Sequence, residues 1–266
     1  MSNLENKVVW LTGASSGIGE ALALALAKQQ VKLVISARRV QELERVKKAL
    51  NLSDDKCFIQ PLDLEKIETF EQATKNIIAK FGSIDILVNN AGLSQRSLAK
   101  DTSIEVDKRL MNVNYIGTVA LSKCVLPYML QSKTGLFVTI TSAVGKIPSP
   151  WRSSYAASKH ALHGFFDSLR AECYDEGIRV LLVCPGFIST NVSVNALTGN
   201  GMPLGKMDDA TQKGLSPQQC AEGIIQAIKS GKEEVVIGGL KEKFGIWMKR
   251  HFPSIFSIMI RKMKVR

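Results

Sequence analysis

The sequence predicts an α/β fold in which one parallel, seven-stranded sheet is doubly wound and covered by helices on both faces. Two observations carry that expectation. Short β-branched apolar runs alternate with longer amphipathic stretches from one end of the chain to the other, the pattern of a parallel sheet buried on both sides. The 266 residues, 45% of them hydrophobic, suffice for one substantial core and leave little room for a second.

Each element has its own warrant. VVWL (8–11), VKLVIS (31–36), CFIQP (57–61), IDILVN (84–89), LFVTIT (136–141), IRVLLV (178–183) and EVVI (234–237) are runs of the length and β-branched content of buried strands. Apolar residues at helical spacing predict helices over 18–29, 40–50, 65–80, 104–131, 153–175 and 217–229. The one long irregular segment, from Gly186 to about Ser216, leaves the carboxyl end of the sixth strand, the side of an open α/β sheet on which ligands bind. Residues 1–245 are expected to form the nucleotide-binding catalytic unit, with 187–216 as its substrate loop. Residues 246–266 form a basic amphipathic tail.

Charge and cysteine usage narrow the function classes. The net charge is +11, and residues 241–266 alone hold eight basic side chains against one acid. The excess is thus local, and with no aromatic platform interleaved in it a nucleic-acid partner is not expected. From Trp247 the tail combines Phe252, Ile255, Phe256, Met259 and Met263 with its basic end. Packing near the substrate mouth is the favoured reading, and peripheral contact with an anionic membrane is the second. The five cysteines are dispersed, without a CxxC pair, which argues against a disulfide framework or a zinc site and for a reducing, cytoplasmic setting. His160 and His163 are three apart on a predicted helix, yet no third ligand is visible and no metal is expected.

Three stretches carry the chemistry. TGASSGIG (12–19) joins the first strand to a helix rich in Ala and Leu, where glycines permit a tight turn and let a pyrophosphate reach the backbone amides of the helix N-terminus. Gly13, Ser15, Ser16, Gly17, Ile18 and Gly19 are therefore candidate cofactor ligands. The second strand ends in SARR (36–39); Ala37 stands where an acid would select NAD, and Arg38 can neutralise a ribose 2′-phosphate, so NADP(H) is favoured. Tyr155 and Lys159 in YAASK are four residues apart, on one face of a helix. A phenol ionises only near about pH 10 in water, and a neighbouring ammonium favours the phenolate, as proton transfer to or from a reacting oxygen requires. The residues between them are small enough for a cofactor to approach.

These stretches, with NNAG (89–92), Ser142 after the fifth strand and PGFIST (185–190), follow the order and spacing of the short-chain dehydrogenases/reductases. The chain resembles that family over about residues 5–240, and loosely its lipid-active members. The glycine spacing GxxxGxG is the family's, although Ser16 stands where a second basic residue marks many NADP-dependent members. The resemblance implies that Tyr155 gives or takes the proton, Lys159 also holds the nicotinamide ribose, Ser142 orients the carbonyl, and Asn114 in NVNYIGT helps keep a water near the lysine. It further implies that Asn90 shapes the cofactor wall, that Pro185 and Thr190 flank the cofactor, with Thr190 meeting the carboxamide, and that the chain forms a homodimer or homotetramer. Asp63 either meets the adenine amino group or caps the helix predicted over 65–80. The implied activity is interconversion of a carbonyl and an alcohol on a lipophilic small molecule. A nucleotide-binding regulatory or scaffold protein on the same fold is the alternative.

Overall fold

A computed structural model describes residues 3–261. Its sheet has seven strands in the order β3-β2-β1-β4-β5-β6-β7, every neighbouring pair parallel. The strands are β1 Val8–Thr12, β2 Lys32–Ser36, β3 Cys57–Ile59, β4 Ile86–Asn89, β5 Gly135–Ile140, β6 Ile178–Pro185 and β7 Glu234–Ile237. From β1 the chain winds outward to β3, then returns to lay β4 on the other side of β1 and winds outward to β7. The order therefore reverses between β1 and β4, and the crevice beyond their carboxyl ends is where a doubly wound sheet takes its ligand.

Strand alternation divides the core in two. Val9, Leu11, Leu33, Ile35, Val88 and Val183 face one side, beneath α1 (Gly17–Ala27), α2 (Val40–Leu50) and α8 (Pro217–Lys229). Trp10, Val34, Leu87, Phe137 and Leu182 face the other, beneath α3 (Phe70–Phe81), α5 (Thr118–Gln131) and α6 (Ser153–Glu172). Burial on both faces is why the strands read as continuous apolar runs. Trp10 is wholly buried, and its indole Nε1 donates to Ser36 Oγ at 2.8 Å, so the large ring carries no unsatisfied donor.

The structure departs from expectation where tertiary contacts override local pattern. The helix predicted over 104–131 is three pieces: α4 (Ile104–Met111), a π-helical turn Asn112–Gly117, and α5. At Gly117 an added Cβ would lie 2.5 Å from the carbonyl oxygen of Leu64, so glycine lets the segment after β3 press against this turn. The helix predicted from residue 65 begins as a single 3-10 turn, Ile67–Thr69, and becomes α3 only at Phe70. The 187–216 segment is less irregular than expected. It contains the one-turn helix α7 (Asp209–Gln212), and Ser189 N and Leu215 N bond across its base to Leu215 O and Phe187 O at 2.8 and 3.0 Å. After β7 come α9 (Leu240–His251) and α10 (Pro253–Arg261). The last basic residues of the tail, Lys262, Lys264 and Arg266, and Met263 lie outside the described residues.

Phe166 of α6 is fully buried, edge-on to Phe165 with ring centres 5.1 Å apart and 6.2 Å from Phe137 of β5. Phe166→Ala is expected to lower the unfolding free energy by about 3–5 kcal/mol, read from the denaturant midpoint at unchanged slope. A loss below about 1 kcal/mol would show that this layer does not anchor α6 to the sheet.

Candidate active site

The first turn is shaped by what cannot fit in it. Gly13 and Gly17 have φ of +68° and +59°, the left-handed region that glycine enters without strain. A Cβ on Gly19 would sit 2.1 Å from the carbonyl oxygen of Gly13, and one on Gly13 would meet Ala91 Cα at 2.8 Å. The turn is thereby packed against the loop that follows β4. Polar contacts fix the same junction: Asn90 N and Ala91 N donate to Thr12 Oγ1 at 3.0 and 3.1 Å, and Asn90 Nδ2 donates to Thr12 O and Gly13 O at 3.0 and 3.2 Å. Asn89 turns the other way, toward Ser122 Oγ at 3.0 Å.

Ser16 begins α1 without a side-chain cap, which leaves first-turn amides without intrahelical partners at the cavity wall. Ser15, Ser16, Gly17, Ile18 and Gly19 all border that cavity. The uncapped helix end and the glycine cradle fit a dinucleotide pyrophosphate. Thr190 stands above them, since a Cβ on Gly17 would meet its Cγ2 at 3.2 Å. Pro185 ends β6 on the same wall.

Beside this turn Arg38 is exposed, with Nη1 3.9 Å from Glu65 Oε2. Arg39, whose Nη2 reaches Ser15 Oγ at 3.4 Å, stands closer to the glycine turn and was visible in the sequence only as the second arginine of a pair. Asp63 does not cap α3, which starts seven residues later. Its Oδ1 accepts from Glu65 N at 3.1 Å, a local Asx turn, and the residue borders the cavity.

Tyr155, Lys159, Ser142 and Asn114 come together although they derive from α6, the π turn and the loop after β5. Ser142 Oγ caps a short 3-10 turn through Val144 N at 3.1 Å, and its hydroxyl stands beside Tyr155 as a hydrogen-bonding group that favours the phenolate. Lys159 lies one turn beyond Tyr155 on α6, with Nζ 5.9 Å from the ring centre, and donates to Ile140 O at 2.8 Å. Asn114 is completely buried. Its Oδ1 accepts from Leu93 N at 2.7 Å, and its Nδ2 donates to Leu93 O at 2.9 Å and Ser158 Oγ at 3.0 Å. The π turn thus places an amide that clamps the loop after β4 onto α6. Between them a Cβ on Gly92 would come within 3.0 Å of Asn114 Oδ1 and 3.7 Å of Lys159 Nζ.

Burial sets the titration of the site. It lowers Lys159 to about 8 and raises the Tyr155 phenol above its ordinary value; the Ser142 hydrogen bond, then Arg152 and Arg96, oppose that rise. Those two arginines were not singled out in the sequence. Neither was Gln95, whose Oε1 accepts from Ser154 N and Tyr155 N at 2.9 and 3.2 Å and so caps α6 from a distant loop. Partners 59 and 60 residues apart leave no local signal.

The cavity that joins these groups has a volume of about 1270 Å³. Its far wall comes from the tail: Phe256, Met259 and Ile260 of α10 border it, with Phe256 buried against Gly245. Away from it, His160 Nδ1 lies 2.9 Å from Ala156 O on its own helix. His163 instead meets Cys184 Sγ at 3.8 Å and Glu234 at 3.8 Å, although Lys146 already pairs with Glu234 at 2.6 Å.

Comparison with known proteins agrees with this architecture. Residues 7–200 match the family model described as short chain dehydrogenase. The chain is 44% identical over 265 residues to Dehydrogenase/reductase SDR family protein 7-like of Anopheles gambiae, covering 98% of this chain and 84% of that one. It is 46% identical over 240 residues to Dehydrogenase/reductase SDR family member 7 of Homo sapiens, covering 88% and 70%. Among solved structures, an alcohol dehydrogenase from the archaeon Thermococcus sibiricus complexed with 5-hydroxy-NADP is similar at 29% identity and a TM-score of 0.75, over 89% of this chain and 97% of that one. A short chain dehydrogenase/reductase from Burkholderia phymatum in complex with NAD, 21% identical with a TM-score of 0.84 over 100% and 99% of the two chains, shares the fold. With the family model spanning most of the chain and two relatives above two-fifths identity, this protein belongs to the short-chain dehydrogenase/reductase family.

Proposed function

We propose that the protein is an NADP(H)-dependent oxidoreductase that interconverts a carbonyl and an alcohol on a lipophilic substrate such as a steroid, retinoid or other ketone or aldehyde, with Tyr155 as general acid and base. The observation that carries this reading is the juxtaposition of Tyr155, Ser142 and Lys159 on the wall of one cavity whose other end is the glycine turn. When bound, the nicotinamide supplies or accepts a hydride. The chain's own residues handle the proton and the geometry. Tyr155, its phenol kept protonated near neutral pH by burial, is suited to donate to a carbonyl oxygen during reduction. Ser142, within hydrogen-bonding reach of that phenol, orients the same oxygen. Lys159 holds the ribose hydroxyls and adds positive charge beside the ring. Asn114 keeps the loop at Gly92 and Leu93 in register with α6, next to the place where a relay water would stand. Asp63, Asn90, Pro185 and Thr190 complete the cofactor wall.

The preference for NADP(H) rests on Ala37 in place of an acid and on Arg38 beside the glycine turn, an exposed guanidinium held only by a 3.9 Å pair with Glu65 being the right partner for a 2′-phosphate. Solved relatives carry either dinucleotide. The lipophilic substrate is supported by the apolar wall that α10 adds through Phe256, Met259 and Ile260. Outward from that wall, Phe252, Ile255 and Ile258 are exposed beside basic residues, and this face is proposed to rest on an anionic membrane surface from the cytoplasmic side. No helix among the described residues is long and apolar enough to cross a membrane. Homo-oligomer formation, as homodimer or homotetramer, is part of the same reading.

Three outcomes follow. Tyr155→Phe is expected to lower kcat for NADPH-dependent reduction of lipophilic carbonyls by about 10²–10⁴-fold while cofactor binding persists; undiminished turnover would remove Tyr155 as the general acid and base, whereas cofactor binding without turnover in the parent protein would return it to the alternative of a nucleotide-binding scaffold. Arg38→Asp is expected to move the kcat/KM preference from NADPH toward NADH by about ten- to a hundredfold, and unaltered selectivity would remove Arg38 from the phosphate site. Replacing Phe252, Ile255 and Ile258 together with serine is expected to abolish co-sedimentation with phosphatidylserine-containing vesicles. Sedimentation that persists in that variant, or that never occurs in the parent protein, excludes the membrane contact.

A further inference from the structure

Three charged side chains that no nucleotide-binding motif calls for meet beside Tyr155. Arg96 follows β4, Arg152 immediately precedes α6, and Asp208 lies near the end of the 187–216 loop; each is more than nine-tenths buried. Arg96 takes the carboxylate almost entirely: its Nε and Nη2 both lie 2.7 Å from Asp208 Oδ2, and its Nη1 is used by Ser94 Oγ and Gln95 O at 2.9 and 2.7 Å. The other carboxylate oxygen, Oδ1, accepts from Thr211 N at 2.9 Å. Arg152 is left with the remainder. Its Nη2 stands 3.7 Å from Asp208 Oδ2 and has no hydrogen-bond partner, its Nη1 reaches Ser149 Oγ only at 3.5 Å, and its guanidinium stacks 5.2 Å above the Phe187 ring. Two buried cations thus share one buried anion.

An uncompensated buried charge is expensive to keep, and desolvation accordingly lowers Arg152 to about 10, which leaves it a cation at neutral pH. Its position gives the charge a use. Arg152 is the N-cap of α6 and Tyr155 stands three residues on, the two positions that reach each other across a helix N-terminus, and both border the same cavity. The charged groups on the elements packed about Tyr155 are Lys159 from its own helix, Arg152 at the cap of that helix, Arg96 from the segment after β4, Asp208 from the 187–216 loop, and Asp107 of α4, which is bound to Ser154 Oγ. Cations outnumber anions there by three to two, and Asp107 is engaged by a hydroxyl.

We propose that Arg152, held against Phe187 and only partly neutralised by Asp208, is a positioning residue that stabilises the ionised form of Tyr155 from the N-terminal end of α6. The proposal deepens the oxidoreductase reading and rests on it, since it assigns a helper to the proton-transfer group. Stabilising phenolate matters most in alcohol oxidation, where Tyr155 must accept the proton. At any pH below its ionisation midpoint, a rise of one unit in that midpoint removes about nine-tenths of the reactive phenolate.

The test is a titration of Tyr155 in the full chain, by the carbon NMR signal of tyrosine Cζ, assigned by its loss in Tyr155→Phe. Arg152→Gln is expected to raise the Tyr155 midpoint by about one unit or more, and to move the rising limb of the oxidation pH–rate profile to higher pH by the same amount with little change in KM for the cofactor. Arg152→Lys, which keeps the charge, is expected to restore most of the shift. Asp208→Asn, which removes the shared anion, is expected to move the midpoint the other way. That reversal of sign is something a merely structural role does not produce, and it keeps the test decisive if Arg152→Gln fails to fold. An unmoved midpoint in folded Arg152→Gln, or a shift in the same direction in Asp208→Asn, overturns the proposal. The titration needs no turnover, so inactivity toward every carbonyl tested would count against the oxidoreductase reading alone, and the direction of the Tyr155 shifts would still decide the role of Arg152.

Discussion

The contact on which the site depends is the seam between β1 and β4, where Thr12, Gly13, Asn90 and Ala91 are locked together by four hydrogen bonds. Two strands of opposite winding direction meet there, and the chain has to pass from one to the other without filling the crevice it creates. Absence of side chains at Gly13 and Gly19 permits the approach, and the Thr12 hydroxyl and the Asn90 amide take up polar groups that the approach would otherwise strand. Everything further out is referenced to this seam: α1 starts from it, the loop carrying Gly92 and Leu93 leaves from it, and Asn114 fixes that loop onto α6.

Charge is the second organising quantity. Lys159, Arg152 and Arg96 are all buried close to one phenol, an arrangement that a stability-driven core would avoid because each buried cation forfeits hydration. The fold compensates each differently. Lys159 has a backbone carbonyl, Ile140 O, Arg96 has a carboxylate and two further acceptors, and Arg152 has an aromatic face and a remote share of Asp208. The sequence sets a single lysine beside a single tyrosine; the fold adds two arginines, Arg152 and Arg96, that favour the phenolate.

Much of the fold was legible because its signals are local. Strand runs, glycine spacing and the Tyr155 to Lys159 interval are each contained within a few residues, and the structure places all seven strands within about two residues of expectation at most ends. What could not be read depends on partners distant in sequence. Gln95 caps a helix that begins 58 residues later, and Asp208 meets Arg96 across 112 residues. Asp63 had two local readings, of which helix capping fails because the segment after it is held by Gly117 rather than by its own helical tendency. The aromatic wall of α10 was expected only as a tail near the substrate mouth; the fold of α9 back toward Ile147 and Lys146 is what turns Phe256 inward.

The π turn at Asn112–Gly117 has an implication for how this segment could change over generations. A π turn is an α-helix with one residue too many, so deleting Asn112 or Val113 would restore an unbroken hydrogen-bond ladder and a locally more favourable helix. The same deletion would rotate Asn114 by about 100° around the axis, one residue's share of a turn, and carry its amide away from Leu93 and Ser158. Local helix energetics and site geometry therefore pull this stretch in opposite directions, and the clamp of Asn114 on Leu93 and Ser158 is what the surplus residue secures.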